Sequence, residues 1–301
     1  MNIENFKLNS KIIIIGLVSF VIYSCSNSQT TEHENEVTDT DTVKALGINV
    51  GGQLFSIPSP MQTALLIQKL GISYDKTMLN DGSKNGQYIS DYSKALNLGI
   101  YGADLGYVSL YSQTQDALVY LDAVKNLADK IGVSAAFNQA TMKRINDNIS
   151  NKDSMLALVG VAYRASDAYL KTNKRTEISS LILTGGWIES MHFSIAAYNY
   201  KPNDELKYRI AEQKQALGNI IKLINSHNLP DANMLVKDLE EIAKVYEDVI
   251  SKYIFVEPTT DESKKLTYIN SVTEISISKE QINLIAAKIL AIRNNIINAK
   301  S

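Results

Sequence analysis

The feature that most constrains the fold is the spacing of apolar residues after Ser59, which follows the three-to-four repeat of amphipathic helices. No alternation of strands and helices typical of a parallel sheet runs through the chain. We therefore predict an all-α protein, an irregular bundle of about eight helices. The stretches with helical spacing are Ser59–Gly71, Tyr88–Leu98, Leu118–Ile131, Met155–Tyr169, Ile178–Tyr198, Leu206–Ile224, Leu235–Val256 and Ser278–Ile296.

Three of these predicted helices begin with residues typical of helix caps. Ser59 precedes Pro60 and has Gln62 three residues on, and Ser278 has Gln281 three residues on, so both have the pattern of a capping box. Ser150-Asn151 opens a third helix. Gly47–Ile57 and Leu266–Ser278 instead alternate apolar and polar residues, and we expect two short strands there that pair with each other.

The N-terminus has the layout of a secretory signal. Lys7 and Lys11 precede an apolar run, Ile12–Ile22, which is about half the roughly 20 residues a membrane-spanning helix needs. The run ends at Tyr23-Ser24-Cys25, which resembles the bacterial lipobox, whose cysteine becomes the lipidated first residue. We expect residues 1–24 to be removed and Cys25 to anchor the protein to the membrane.

Residues 25–43 are predicted to form a flexible tether, because they are acidic and almost free of apolar residues. The remainder, 44–301, is predicted to be a single helical domain. Cys25 is the only cysteine, so a lipidated chain has no free thiol for catalysis, for a Cys-ligated zinc or for an iron–sulfur cluster. No basic stripe stands out, so we expect no nucleic-acid partner.

Glu189 and His192 form the strongest candidate for chemistry. On a helix, residues three apart project from one face, so a carboxylate and an imidazole can bind one metal ion, as Glu-x-x-His does in di-iron bundles. The chain holds only one such motif. The alternative is a helix-packing segment, in which Gly185-Gly186 lets another backbone approach and the two polar side chains hydrogen-bond near the edge.

Asp81–Gly86 resembles the opening of an EF-hand calcium loop, but Tyr92 occupies the position of the bidentate glutamate, and an ordinary turn explains the same residues. Gly47–Gly52 lacks the lysine of a phosphate loop. No nucleophile elbow is present either. We therefore assign no catalytic residue and expect no cofactor.

Tyrosine is abundant, with sixteen residues against a single tryptophan. Tyrosine favours interfaces, because one end is apolar and the other forms hydrogen bonds. The alternative is packing at the edge of the core. As a possible interaction surface we single out Tyr101, Asp104, Tyr107, Tyr111 and Trp187, and the hypothesis requires the three tyrosines to form an exposed apolar patch.

Four segments resemble a family of Bacteroidota outer-membrane lipoproteins to which no activity is attached. They are Ile57–Gly71 (IPSPMQTALLIQKLG), Leu96–Tyr111 (LNLGIYGADLGYVSLY), Asn151–Val159 (NKDSMLALV) and Leu183–Phe193 (LTGGWIESMHF). The resemblance implies a helical, exported, lipid-anchored protein, on either the periplasmic or the outer side of the membrane. We predict a non-enzymatic binding or accessory protein with a protein partner in the envelope, and as the alternative a metal-binding protein or metal-dependent enzyme that uses Glu189 and His192.

Overall fold

A computed structural model describes residues 46–50, 53–57, 60–136 and 139–299, all of which fall in one compact unit. Ten helices dominate this part of the chain, with short antiparallel strand pairs beside them, so the all-α prediction with a minor β element is confirmed. The helices are α1 (Pro60–Lys69), α2 (Asp91–Leu110), α3 (Thr114–Lys130), α4 (Gln139–Asp147), α5 (Lys152–Thr172), α6 (Thr176–Tyr200), α7 (Asp204–Ala211), α8 (Lys214–Asn225), α9 (Asn233–Glu247) and α10 (Lys279–Ile297).

Capping explains several of the helix starts. Ser278 accepts a hydrogen bond from the backbone N–H of Gln281, whose side chain accepts one from the Ser278 N–H, so the predicted capping box of α10 is present. The Asn151 side chain caps α5 by accepting a hydrogen bond from the backbone N–H of Ser154. The Ser90 side chain caps α2 in the same way, by accepting from the N–H of Ser93. The Ser59 side of the other predicted box lies outside the described residues.

Helices α2 and α6 form the centre of the bundle, and glycines allow them to approach closely. A Cβ atom at Gly99 would lie 1.9 Å from the carbonyl oxygen of Ile182, and one at Gly185 would lie 1.9 Å from that of Leu96. No side chain fits at such distances, so both positions require glycine. The predicted role of the Gly185-Gly186 pair in letting another backbone approach is confirmed.

Strands form in both stretches where alternation predicts them, Gly47–Ile57 and Leu266–Ser278, but the two stretches do not pair with each other. β1 (Leu46–Val50) pairs with β2 (Gln53–Ile57), so Gly47–Ile57 folds back on itself. Farther along the chain, β3 (Ile250–Ile254) pairs with β6 (Val272–Ser276), and β4 (Thr259–Asp261) pairs with β5 (Leu266–Tyr268). β3 and β4 were not predicted. We call Ile250–Ser276 the β arm.

Three helix boundaries differ from the prediction. α9 ends at Glu247, because the β-branched and aromatic residues that follow favour a strand and form β3. The predicted helix Leu206–Ile224 is divided at Glu212-Gln213 into α7 and α8. α2 runs to Leu110, well beyond the predicted Leu98. Seventeen of its twenty residues are buried, so it lacks the polar face from which a helix is recognised.

Candidate functional site

A buried ion pair joins the C-terminal helix to the centre of the bundle. Arg293 on α10 donates from Nε to Oε2 of Glu189 on α6 at 2.6 Å and from Nη2 to Oε1 at 2.7 Å. Nη2 also donates to the carbonyl oxygen of Met78 at 3.0 Å. Glu189 is fully buried and Arg293 is 5% exposed. Such bidentate pairs are geometrically specific, and in the interior both charges need their partners.

Asp104 on α2 brings a second carboxyl group to this pair. It is fully buried, and its Oδ2 accepts a hydrogen bond of 3.3 Å from the backbone N–H of Asn80. Its Oδ1 has no partner among the described residues, and neither has Oδ1 of Asn80. Burial, and then the negative charge of Glu189, raise the pKa of Asp104 well above its usual range. Asp104 therefore favours the neutral form beside the Glu189–Arg293 pair.

His192 lies at the edge of this group and acts as a donor. Its Nε2 is 3.1 Å from the carbonyl oxygen of Met78, which can only accept, so Nε2 carries the proton. Burial lowers the pKa of His192, and the ring is therefore neutral at neutral pH. The carbonyl oxygen of Met78 thus accepts hydrogen bonds from both His192 and Arg293.

The structure does not support the metal site predicted on Glu189 and His192. Both oxygens of Glu189 are bound by the guanidinium of Arg293, which occupies the place a cation would take. Within the described part of the chain, no three His, Cys, Asp or Glu side chains come together in a way that would hold a metal ion. The prediction that these side chains hydrogen-bond near the edge is right for His192 and wrong for Glu189, which is in the core.

The predicted tyrosine surface is also wrong. Tyr101 and Tyr107 are fully buried, and Tyr111 is half-buried against the core. The Tyr101 hydroxyl donates to the carbonyl oxygen of Asp81 at 2.8 Å, and the Tyr111 hydroxyl donates to the carbonyl oxygen of Ile72 at 2.6 Å. Because buried hydroxyl groups need partners, these hydroxyl groups form hydrogen bonds with the loop residues beside α2, and the rings do not form an exposed patch.

The other residues of that predicted surface are interior as well. Asp104 belongs to the buried ion cluster, and Trp187 is 1% exposed, with its indole N–H donating to Oε1 of Gln213 at 3.0 Å. The calcium-like segment forms a short 3-10 helix, Gly82–Gly86, whose preceding Asp81 accepts from the backbone N–H of Ser83. The turn interpretation of that segment is therefore the right one. Cys25 lies outside the described residues.

A cavity of about 280 Å³ lies between α2, α3, α4 and α5. Its walls are mainly aliphatic side chains and methionines from all four helices. They include Leu98 and Leu105 of α2, Leu121 and Val124 of α3, Met142 and Ile145 of α4, and Met155, Leu158 and Val159 of α5. Gly102 and Ala128 keep part of the wall free of bulky side chains. The result is an apolar pocket among these helices that is partly open to solvent.

Few polar groups of this cavity are available to a ligand. The hydroxyl of Tyr163 donates to the carbonyl oxygen of Gly99 at 3.0 Å, and that of Ser166 donates to Ala162 at 2.8 Å. Two charged residues line the cavity, Lys125 and Asp129, and both are exposed to solvent, one turn apart on α3. The interior therefore suits apolar groups, and polar groups are confined to the side that meets solvent.

The sequence holds only part of the information about these two sites. Glu189, His192 and Asp104 are singled out by sequence, but Arg293 is not, although an arginine among the isoleucines of α10 was a possible signal for a buried partner. The cavity has no sequence signal, since its lining residues are ordinary core residues. α4, which forms one wall, is not among the predicted helices.

Comparisons with protein-family models, curated proteins and solved structures find no match to this chain. The candidate site must therefore be interpreted from its own geometry. None of the described helices has both the length and the apolar character that crossing a bilayer requires.

Proposed function

We propose that this protein is a non-enzymatic binding protein of the cell envelope, which takes a small, predominantly apolar ligand into the cavity between α2, α3, α4 and α5. The observation that carries the proposal is an apolar pocket of about 280 Å³. Ligand sites in proteins are typically concave, mostly apolar and formed before the ligand arrives. A cavity of roughly 150 Å³ is large enough to bind benzene, so this one accommodates a larger molecule.

The chemistry of the walls restricts the class of ligand. The hydroxyl groups of Tyr163 and Ser166 are already engaged with backbone carbonyls, so an inserted polar group would lose its hydrogen bonds to water and gain few in return. Lys125 and Asp129 can meet a polar end only where the cavity reaches solvent. An apolar body with at most one polar end is the ligand that fits.

The cavity proposal is tested with an uncharged apolar fluorophore, 1-N-phenylnaphthylamine, titrated into the purified protein. Ala128→Leu places a larger side chain into the cavity and should weaken probe binding by roughly ten-fold, about 1.4 kcal/mol. The matched control is Ala168→Leu, which makes the same change at an exposed position on α5. Absence of probe binding to the wild type, or equal binding by both variants, would contradict the proposal.

The envelope part of the proposal rests on the N-terminal sequence and on the family resemblance. Lys7 and Lys11, the apolar run and Ser24-Cys25 have the order of a lipoprotein signal, which supports attachment through lipid on Cys25 to the outer membrane. Cys25→Ala should abolish incorporation of labelled palmitate and release the protein from the membrane fraction. Continued labelling of the variant would refute the anchor without bearing on the cavity.

A further inference from the structure

The β arm is a long two-stranded hairpin interrupted in its middle. β3 and β6 form its base, and β4 and β5 form its tip. Between them the strands are joined by side chains: the Ser271 hydroxyl accepts from the N–H of Val256, and Asn270 donates to the carbonyl oxygen of Glu257. A pair of strands has two outer edges, and a hairpin by itself is only marginally stable in water.

The two outer edges of the base differ. On β6, the carbonyl oxygen of Thr273 accepts a hydrogen bond of 3.1 Å from the Tyr208 hydroxyl of α7, and Ile275 packs against the core. β3 has β6 as its only strand neighbour among the described residues, and four of its five residues are exposed. An open strand edge presents unpaired N–H and C=O groups that another strand can bind.

Exposed apolar side chains concentrate on this arm. Of the sixteen large apolar residues that are exposed in the described part of the chain, eight lie between Ile250 and Ser276. On β3 and the residues after it, Ile250, Tyr253 and Phe255 are 67%, 64% and 69% exposed. An aromatic side chain of 150–250 Å² that is two-thirds exposed offers roughly 100 Å² or more. Tyr253, Phe255 and Tyr268, at 64%, 69% and 47% exposed, together offer roughly 270–450 Å², about a third to a half of one partner's share of a standard interface, and the five exposed aliphatic residues of the arm add to it.

We propose that the outer edge of β3 pairs antiparallel with β3 of a second copy of this chain, about a two-fold axis at Tyr253. A two-fold axis makes the same surface serve both partners, which is the commonest arrangement in homodimers. The resulting sheet has four strands in the order β6-β3-β3-β6, which is more than the number a stable sheet needs.

The charge of Lys252 disfavours the neighbouring register and is compatible with an axis at Tyr253. An axis at Lys252 would set two ammonium groups directly opposite each other, and like charges in that position are destabilising. An axis at Tyr253 sets Tyr253 against Tyr253 of the partner subunit. Lys252 then faces Ile254 of the partner subunit, and Phe255 faces Ser251 of the partner subunit. Within its own chain Lys252 is already opposite Glu274, so its charge has a neighbour of opposite sign.

The first test is the oligomeric state of the full chain in mild detergent, measured by sedimentation equilibrium. The wild type should associate to a dimer. Tyr253→Lys, which places like charges at the axis, should raise the dissociation constant by roughly ten-fold or more. Tyr200→Lys makes the same change at an exposed tyrosine outside the arm and should leave dimerisation unchanged. A wild type that stays monomeric at every concentration would overturn the proposal, even if another protein binds the arm.

The register is tested by cysteine crosslinking in a Cys25→Ser background, which leaves one thiol in each chain. Tyr253→Cys should oxidise readily to a disulfide-linked dimer, because residues directly opposite each other have Cβ atoms about 5 Å apart. Lys252→Cys should crosslink several-fold less, because position 252 of one chain lies opposite position 254 of the other chain and not opposite position 252. Equal crosslinking of the two variants would contradict an axis at Tyr253.

Discussion

Two adjacent stripes of helix α2 meet the rest of the bundle in opposite ways. Asn97, Tyr101 and Asp104 face the buried polar cluster, where the groups of α6, α10 and the Met78–Asn80 segment converge. One residue farther along, Leu98, Gly102 and Leu105 line the cavity. The first stripe is in direct contact with its partners, and the second borders empty space.

The difference follows from what each kind of side chain requires in the interior. A buried charge is tolerated only when partners are in contact with it, so the Glu189–Arg293 pair draws α6 and α10 together at hydrogen-bonding distance. Apolar side chains need no particular partner. A space among them loses dispersion contacts but leaves no polar group unsatisfied, so an apolar wall can hold a cavity.

The largest effect is expected when the positive charge that α10 contributes to the buried polar cluster is removed. Arg293→Met leaves Glu189 buried without its partner and should lower the free energy of unfolding by about 3–5 kcal/mol. Lys288→Met is the matched control on the same helix as Arg293. Lys288 pairs with Glu241 of α9 at the partly exposed surface, so this variant should cost less than about 1 kcal/mol. Urea denaturation of the two variants measures both effects, and similar losses would mean that the buried pair is not special.

A second prediction concerns the proton on Asp104. An acid whose pKa is raised by folding binds its proton more tightly in the folded state, so stability falls as pH rises from the unfolded pKa of about 4 through the folded value. Asp104→Asn cannot titrate and should lose this fall, becoming more stable than the wild type at alkaline pH by about 1–3 kcal/mol. The other titratable groups around it, Glu189, Arg293 and His192, are unchanged in the variant.

The measurement is the free energy of unfolding between pH 2 and pH 9 for both proteins, with Asp116→Asn as a control of opposite sign, whose effect falls below pH 4. Lys76 and Tyr74 donate to Asp116 and lower the pKa of its carboxyl group, so Asp116 adds stability above its unfolded pKa and loses it as pH falls. If wild type and Asp104→Asn show parallel pH curves, Asp104 does not hold its proton in the way proposed.

We expect a smaller effect from a substitution in the wall of the cavity, which Leu98, Gly102 and Leu105 of α2 and Ala128 of α3 all line. Because Ala128→Leu fills space rather than breaking contacts, it should stabilise the protein by about 0.5–2 kcal/mol while it weakens probe binding. Ala168→Leu, at the exposed position, should change stability by less than about 0.5 kcal/mol. A loss of stability in Ala128→Leu would show that this wall is already closely packed.

Local sequence patterns predict most of the secondary structure of this protein. Periodicity located the main helices, capping residues fixed the starts of α5 and α10, and alternation marked the stretches that form β1, β2, β5 and β6. These signals are local: each depends on residues within one or two turns of one another. Where a segment is wholly buried, as in α2, the local signal weakens, and the helix extends twelve residues beyond the predicted Leu98.

Which residues come into contact depends on how distant segments pack, and the sequence patterns do not predict it. Glu189 was a candidate metal ligand because a residue three positions away bears an imidazole, but its partner is Arg293, 104 residues along the chain. Tyr101 and Tyr107 were candidates for a surface because their hydroxyl groups can face water, but loops supply oxygens and a backbone N–H to those hydroxyls in the core. The cavity arises from the distances between four helices. Periodicity fixes the face that a helix buries, whereas the spacing and partners of that face depend on contacts between distant segments.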